Sequence, residues 1–313
     1  MSVIVVTDRY RTIRRVLGRL NEQTVKDQLE LIIVIPAGAR EGDDEPSLEG
    51  FAGIRIVEIP TVHPMPVARA IGIRAASAPI VFLGETHSFP HPDFAELLID
   101  AHRGDWDVVV PGLENANPES PWSWASFLMD YGTWYQTLPA GRIGGGPTWN
   151  VAYRKSVLVE ADSRLEKGME HGDDLAEWFA SRGIRAYFEP RAKLDHANVS
   201  IAKWWLEQRY LCGLLVANAR RKRWSGRKRL LYVVASPLIP AVILYRLRRP
   251  VKSLIAKGSL PAGAVAALVF GTVVRTAGEV VGYIRGAPDQ SQPRMDEYEL
   301  HKLAFTDMEK QAV

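Results

Sequence analysis

The chain opens on an unbroken apolar run, SVIVVT at 2–7, rich in β-branched residues and stopped at Asp8, which predicts a buried strand. The period then changes. Over 11–20, Ile13, Val16, Leu17 and Leu20 fall on one helical face and Arg11, Arg14, Arg15 and Arg19 on the other. A second strand is predicted at 29–35 (LELIIVI, ended by Pro36), a loop at 36–50, and a third strand at 54–59 (IRIVEI). A helix rich in Ala and Ile follows at 67–77, then a strand at 79–83 (PIVFL). Pro92 and Asp93 introduce a helix over 93–103, and 106–110 (WDVVV) is a fifth strand. Strands alternating with helices predict an α/β domain on a largely parallel sheet.

From 115 to 150 the pattern breaks. Trp122, Trp124, Trp134, Trp149, Tyr131 and Tyr135 lie among Pro and Gly, which suits either an aromatic-lined ligand groove or a hydrophobic cluster beneath a long excursion. Periodicity then resumes: a strand in TWNVAYRK (148–155), a helix over 174–182 with Leu175, Trp178 and Phe179 inward, and a strand at 184–188. One long helix is expected over 201–219. Beyond it, residues 230–245 and 259–274 carry no charge, but both runs are shorter than the roughly 20 residues of an upright span. Both also contain Pro, so interfacial or re-entrant helices fit better than clean spans. The expected organisation is a domain at 1–200, a basic and apolar helical membrane-association region at 201–288, and a loose polar tail at 289–313.

Charge sharpens this division. Residues 1–200 carry 28 acidic and 20 basic residues, whereas 201–257 carry 14 basic residues and only Glu207. The segment RRKRWSGRKR (220–229) has seven basic residues in ten. Such a block beside apolar helices suits an anionic lipid surface, each Lys or Arg contributing about 1 kcal/mol there. Two soluble buried helices are the plainer alternative. Nucleic acid fits the adjoining apolar runs poorly, and no recognition module is present. The single Cys212 excludes an intramolecular disulfide framework. The first residues meet Asp8 and Arg9 at once, with no basic leader, so the N-terminal domain is expected on the cytoplasmic side of a membrane.

Ligands of open α/β sheets bind beyond the carboxyl ends of the strands. Those ends deliver Thr7, Asp8, Arg9 and Tyr10; Pro36 to Gly38; Pro60 to His63; and Gly84 to His87. No GxGxxG, phosphate-loop GK(S/T) or GxSxG pattern occurs at them. Glu85 and His87, two apart on an extended backbone, face the same way and suit a shared divalent cation, though helix capping or a surface role has the same spacing. Asp173 and Asp174 precede an amphipathic helix, where they either complement its dipole or supply a general base. His196, after Asp195, is a third candidate metal ligand or an ordinary hydrogen-bonded histidine.

Three stretches in order resemble family 2 glycosyltransferases: VIVVTDRYRTIRRVLGRLNEQT, VARAIGIRAASAPIVFLGETH and HGDDLAEWFASRGIRAYFEPRAKLDH, together covering about 2–200. The resemblance implies a GT-A fold, with a mixed, mostly parallel sheet flanked by helices and followed here by C-terminal apolar and amphipathic helices. It implies that Thr7, Arg9 and Tyr10 hold the base and ribose of a nucleotide-sugar donor. Glu85 and His87 stand at the metal-binding acidic motif, with His196 near the metal and diphosphate. Asp173 or Asp174 stands at the catalytic base, Asp173 being preferred, and Gly145, Trp149 and Asn150 lie in the segment shaping the donor-sugar and acceptor pocket. The implied cofactor is Mn2+ or Mg2+, and the implied acceptor a glycan or lipid-linked hydroxyl of a polysaccharide pathway.

There are departures. IPAGAR lacks the family's Asp after the second strand, and the acidic motif reads Glu-Thr-His, whose single carboxylate weakens cation binding while its imidazole suits Mn2+. QRYLCG resembles the QxxRW motif of processive members without its spacing, so no processive polymerase is implied. The expected reaction is direct displacement with inversion. The alternatives are a non-catalytic membrane scaffold of the same fold, and a nucleotidyltransferase, although TDRYRT is not the glycine-rich loop such enzymes carry.

Overall fold

The computed structural model describes residues 1–39, 47–134, 139–144, 148–171 and 173–308. Strands are β1 (Ser2–Val6), β2 (Glu30–Pro36), β3 (Gly53–Ile59), β4 (Ile80–Leu83), β5 (Ser88–Pro90), β6 (Val108–Asn115), β7 (Gly141–Ile143), β8 (Val151–Arg154) and β9 (Ala186–His196). Helices are α1 (Tyr10–Asn21), α2 (Met65–Ala75), α3 (Phe94–Ala101), α4 (Pro121–Tyr131), α5 (Lys155–Glu160), α6 (Asp162–His171), α7 (Asp173–Ser181), α8 (Ala202–Arg223), α9 (Gly226–Ala235), α10 (Ile239–Ala256), α11 (Ala264–Ile284) and α12 (Ser291–Leu300). They form two compact units: residues 1–114 with 134–196, and residues 115–133 with 197–313.

The first unit is built on one mixed sheet of order β3-β2-β1-β4-β8-β6-β9-β5, with β7 paired to β9. The strands β3, β2, β1 and β4 are mutually parallel, and β6 runs with them because β8 is antiparallel to both β4 and β6. Fully buried side chains fill β1 and the centre of β2, as expected where helices cover a parallel sheet. The predicted face of α1 is the buried one: Ile13, Val16, Leu17 and Leu20, joined by Tyr10. At about 1.5–3 kcal/mol per buried aliphatic side chain, that face fixes the helix on the sheet. Close approach fixes α2. A Cβ on Gly72 would lie 2.6 Å from Ile4 Cγ2, so only glycine lets α2 sit this deep against β1.

The second unit is helical. Glycines bring α8 and α11 into backbone contact: a Cβ on Gly213 would lie 1.9 Å from the Arg275 carbonyl oxygen, and one on Gly278 2.1 Å from that of Tyr210. Arg209 of α8 is buried and donates two parallel hydrogen bonds of 2.8 Å to Asp130 of α4. The stretches 226–256 and 264–284 are helices long and apolar enough to cross a membrane. They exceed the predicted uncharged runs because the helices continue through flanking charged residues. The face of 226–256 is largely open, exposing Leu230, Leu231, Val234, Leu238 and Tyr245.

Two expectations are corrected. Residues 121–131, read as irregular, are the helix α4. Ser120 caps it by accepting from Ser123 N–H, and Pro121 occupies its first turn, two start signals hidden among aromatics. The tail expected to be loose contains α12, because Arg294 and Tyr298 both bond Glu207 of α8, and Met295, Tyr298, Leu300 and Phe305 are buried.

Candidate metal centre

Strand β4 ends at Leu83 and the chain continues as Gly84-Glu85-Thr86-His87 into β5. Strand β9 pairs antiparallel with β5, placing His196 opposite Ser88. This register carries the imidazole of His196 to the residues after β4, though 109 positions separate it from His87.

Three atoms converge there. His87 Nε2 lies 3.2 Å from His196 Nε2, and each of these nitrogens lies 3.4 Å from Glu85 Oε2. All three side chains are buried, none more than 4% exposed. Thr86 Oγ1 is 3.3 Å from His87 Nδ1, which leaves Nε2 as the nitrogen turned to the cluster. Ser88 Oγ and Asn150 Nδ2 donate to Glu85 Oε2 at 3.3 and 2.6 Å. Burial alone would raise the Glu85 carboxyl, but His87 and His196 outweigh it and hold the group well below the usual carboxylate range.

Two imidazole nitrogens facing one another beside a carboxylate oxygen form a donor set suited to a divalent cation. The spacing fits as well. A tetrahedral site with bonds of about 2.0–2.1 Å has edges of about 3.3–3.4 Å, close to the three separations observed. The residues present therefore suit a divalent cation, with imidazole nitrogens supplying two of the three donors.

Asn150 reaches this cluster through its backbone. Its φ is +57°, a left-handed conformation that Asn tolerates better than most residues, and its N–H donates to Leu83 O at 2.8 Å. The start of β8 is thereby pinned to the end of β4, with the Asn150 amide against Glu85. Trp149 lies under the guanidinium of Arg69, which sits 4.0 Å from the ring centroid. Arg69 Nη2 is also 4.0 Å from Glu85 Oε1, and its side chain is buried. The sequence reading passed over Arg69. Its signal was an arginine inside the otherwise apolar turn VARAIG, where a solvent-facing charge has no place.

The other expected residues divide as follows. Thr7 is buried at the end of β1, beside β4 in the sheet, and its Oγ1 donates to Arg9 O at 2.7 Å. The Arg9 side chain is exposed and paired with Asp8, whereas Tyr10 is buried in the core. Asp173 and Asp174 begin α7, with their carboxylates outside the described side chains. Gly145 lies outside the described residues.

A second cluster, His91, Glu114 and Asp195, is half-exposed, and Lys193 Nζ stands 3.2 Å from Glu114 Oε1, supplying positive charge there already. In the second unit, Trp122 lines a cavity of about 570 Å3 with Asn117, Ser200 and Asp307, while Trp124, Phe127 and Tyr131 are buried. The aromatic stretch thus makes both a groove wall and a packed cluster.

No protein-family model matches the sequence, and no curated protein matches it. Among solved structures the chain is similar to S. aureus TarS residues 1–349 in complex with UDP, at 16% identity over 92% of each chain with a TM-score of 0.45. It is also similar to GalNAc-T7 with UDP, GalNAc and Mn2+, at 13% identity over 63% of this chain and 43% of that one, with a TM-score of 0.40. No residue assignment rests on either likeness.

Proposed function

We propose that the chain transfers a glycosyl group from a nucleotide-sugar donor to a hydroxyl of a glycan or lipid-linked acceptor, with inversion, at a membrane surface. The observation that carries this reading is the convergence of Glu85, His87 and His196 at the ends of β4 and β9. Sequence resemblance places the donor diphosphate at that end of the sheet. Glu85 Oε2 and the Nε2 atoms of His87 and His196 would hold a divalent cation, Mn2+ suiting this mixed donor set better than Mg2+, which would supply charge neutralisation for the departing diphosphate. Thr7 and Arg9 at the end of β1 hold the nucleoside, and Tyr10 supports that turn from the core. Asp173 takes the acceptor proton as the hydroxyl oxygen bonds the anomeric carbon and the carbon–phosphate oxygen bond breaks. Gly145 and Trp149 border the sugar, and the basic region holds the chain on anionic lipid.

A panel of nucleotide-sugars, incubated with the full chain, lipid extract and Mn2+, tests this by release of nucleoside diphosphate. Release with one donor, lost in Asp173→Asn, is expected. No binding or turnover across the panel overturns it.

The burial of all three donors favours a second reading, a closed structural cation in a non-catalytic scaffold. Under that reading chelation lowers the melting temperature, and no donor is turned over under any condition.

A further inference from the structure

We propose that Asn150 is a fourth protein ligand of the cation site, through its side-chain oxygen Oδ1. The inference rests on the reading that Glu85, His87 and His196 bind a divalent cation, and it holds whether that cation is catalytic or structural.

Four observations carry it. Asn150 is fully buried, at 0% exposure. Its Nδ2 touches the cluster, 2.6 Å from Glu85 Oε2. Its Oδ1 is buried with no hydrogen-bond partner among the described residues. A buried amide oxygen without a partner is costly, so this orientation of the amide gains nothing from its oxygen. Its backbone is held left-handed and bonded to Leu83, which fixes where the amide stands.

The donor arithmetic agrees. Glu85, His87 and His196 supply three donors, and a divalent cation held there would take at least one more, from protein or water. Rotation of the Asn150 amide about its last torsion exchanges nitrogen and oxygen. As the structure stands, Nδ2 bonds the carboxylate. The opposite orientation would offer Oδ1 to a cation held by Glu85, His87 and His196, in place of the N–H···O contact to Glu85. An amide oxygen suits Mn2+, and an aspartate in the same place would serve the same role with added charge.

The rival role is simpler: Asn150 only donates a hydrogen bond that orients Glu85. Two variants separate the roles. Asn150→Gly keeps the positive φ and deletes the amide. Asn150→Asp keeps an oxygen donor and deletes the N–H. The metal-stripped full chain and both variants are titrated with Mn2+ by calorimetry and with Co2+ by its visible absorption.

Asn150→Gly is expected to bind Mn2+ about 10–100-fold more weakly, with an altered Co2+ spectrum, and Asn150→Asp to bind at least as tightly as the parent. Binding by Asn150→Gly within about twofold of the parent would falsify the ligand role. So would an Asn150→Asp variant as weak as Asn150→Gly, which identifies N–H donation as the function. If Asn150→Gly does not fold, the Asn150→Asp titration alone decides between the two roles. A parent chain that binds neither metal removes the cation reading itself, a result distinct from both.

Discussion

Asp195 and His196 are consecutive on β9 and serve opposite faces of the sheet: His196 Nε2 lies 3.4 Å from Glu85 Oε2, while Asp195 Oδ1 lies 3.2 Å from His91 Nε2. One strand thus contributes to two His–carboxylate clusters. The first is buried and the second half-exposed, so adjacent residues make a matched pair of variants. His196→Ala should weaken Mn2+ binding at least about a hundredfold, and Asp195→Asn should leave it within about twofold. Calorimetry on the metal-stripped chain reads both. Equal loss in the two variants would assign the cation to the wrong face.

A buried histidine away from the cluster sets an acid limit on stability. His102 is 4% exposed, and burial pushes its imidazole down to about 4. In the unfolded chain its value is about 6.5. Between these values the unfolded state binds more protons than the folded one, so stability falls as pH falls below about 6.5. From pH 7 to pH 5 this group should cost about 2 kcal/mol. Denaturant unfolding of the parent and of His102→Gln at both pH values checks it. The variant, which cannot charge, should lose that much less, and parallel losses would remove His102 as the cause.

The parallel half of the sheet was legible because β1, β2 and β4 are buried on both faces and therefore read as continuous apolar runs. The ExH pair was legible for the same reason, lying just past such a run. His196 was visible only as a residue type, since what gives it meaning is the β5–β9 register, which joins segments far apart in sequence. Asn150 and Arg69 were harder. Their roles depend on a left-handed backbone and on a buried guanidinium, and neither leaves a periodic trace. Helix α12 was missed because its polar composition is satisfied by specific partners on α8, chiefly Glu207, rather than by water. Aromatic residues masked α4, whose stability comes from Trp124, Phe127 and Tyr131 packing rather than from helix propensity.

The glycine seam between α8 and α11 predicts a steep cost for a single methyl group. In Gly278→Ala the new Cβ would stand 2.1 Å from the Tyr210 carbonyl oxygen, a backbone atom that cannot swing aside. The helices must separate along their length, at about 3 kcal/mol or more. Gly258→Ala is a less informative control because its φ of +65° strains any side chain, whereas Gly226 has only the Arg229 guanidinium within 4 Å. Gly226→Ala should therefore leave the melting temperature nearly unchanged while Gly278→Ala lowers it by several degrees. Similar melting temperatures for the two variants would mean that α8 and α11 do not meet this closely.

The open face of 226–256 predicts how the chain holds a membrane. Residues 208–278 contain 14 Lys and Arg and no acidic residue, and within them Leu231, Val234 and Leu238 are 62%, 70% and 65% exposed. Buried hydrophobic residues cannot be charged without unfolding the protein, but these three can, because so little of each packs inward. A triple Leu231→Glu, Val234→Glu, Leu238→Glu variant should keep the parent's helical content. It should lose most cosedimentation with vesicles containing anionic phospholipid, since apolar insertion is removed and the charge attraction reduced at the same face. Parent binding should weaken on neutral vesicles and at high salt, because the basic residues act through a screened field. Cosedimentation of the triple variant equal to that of the parent would show that this face is not the one that meets lipid.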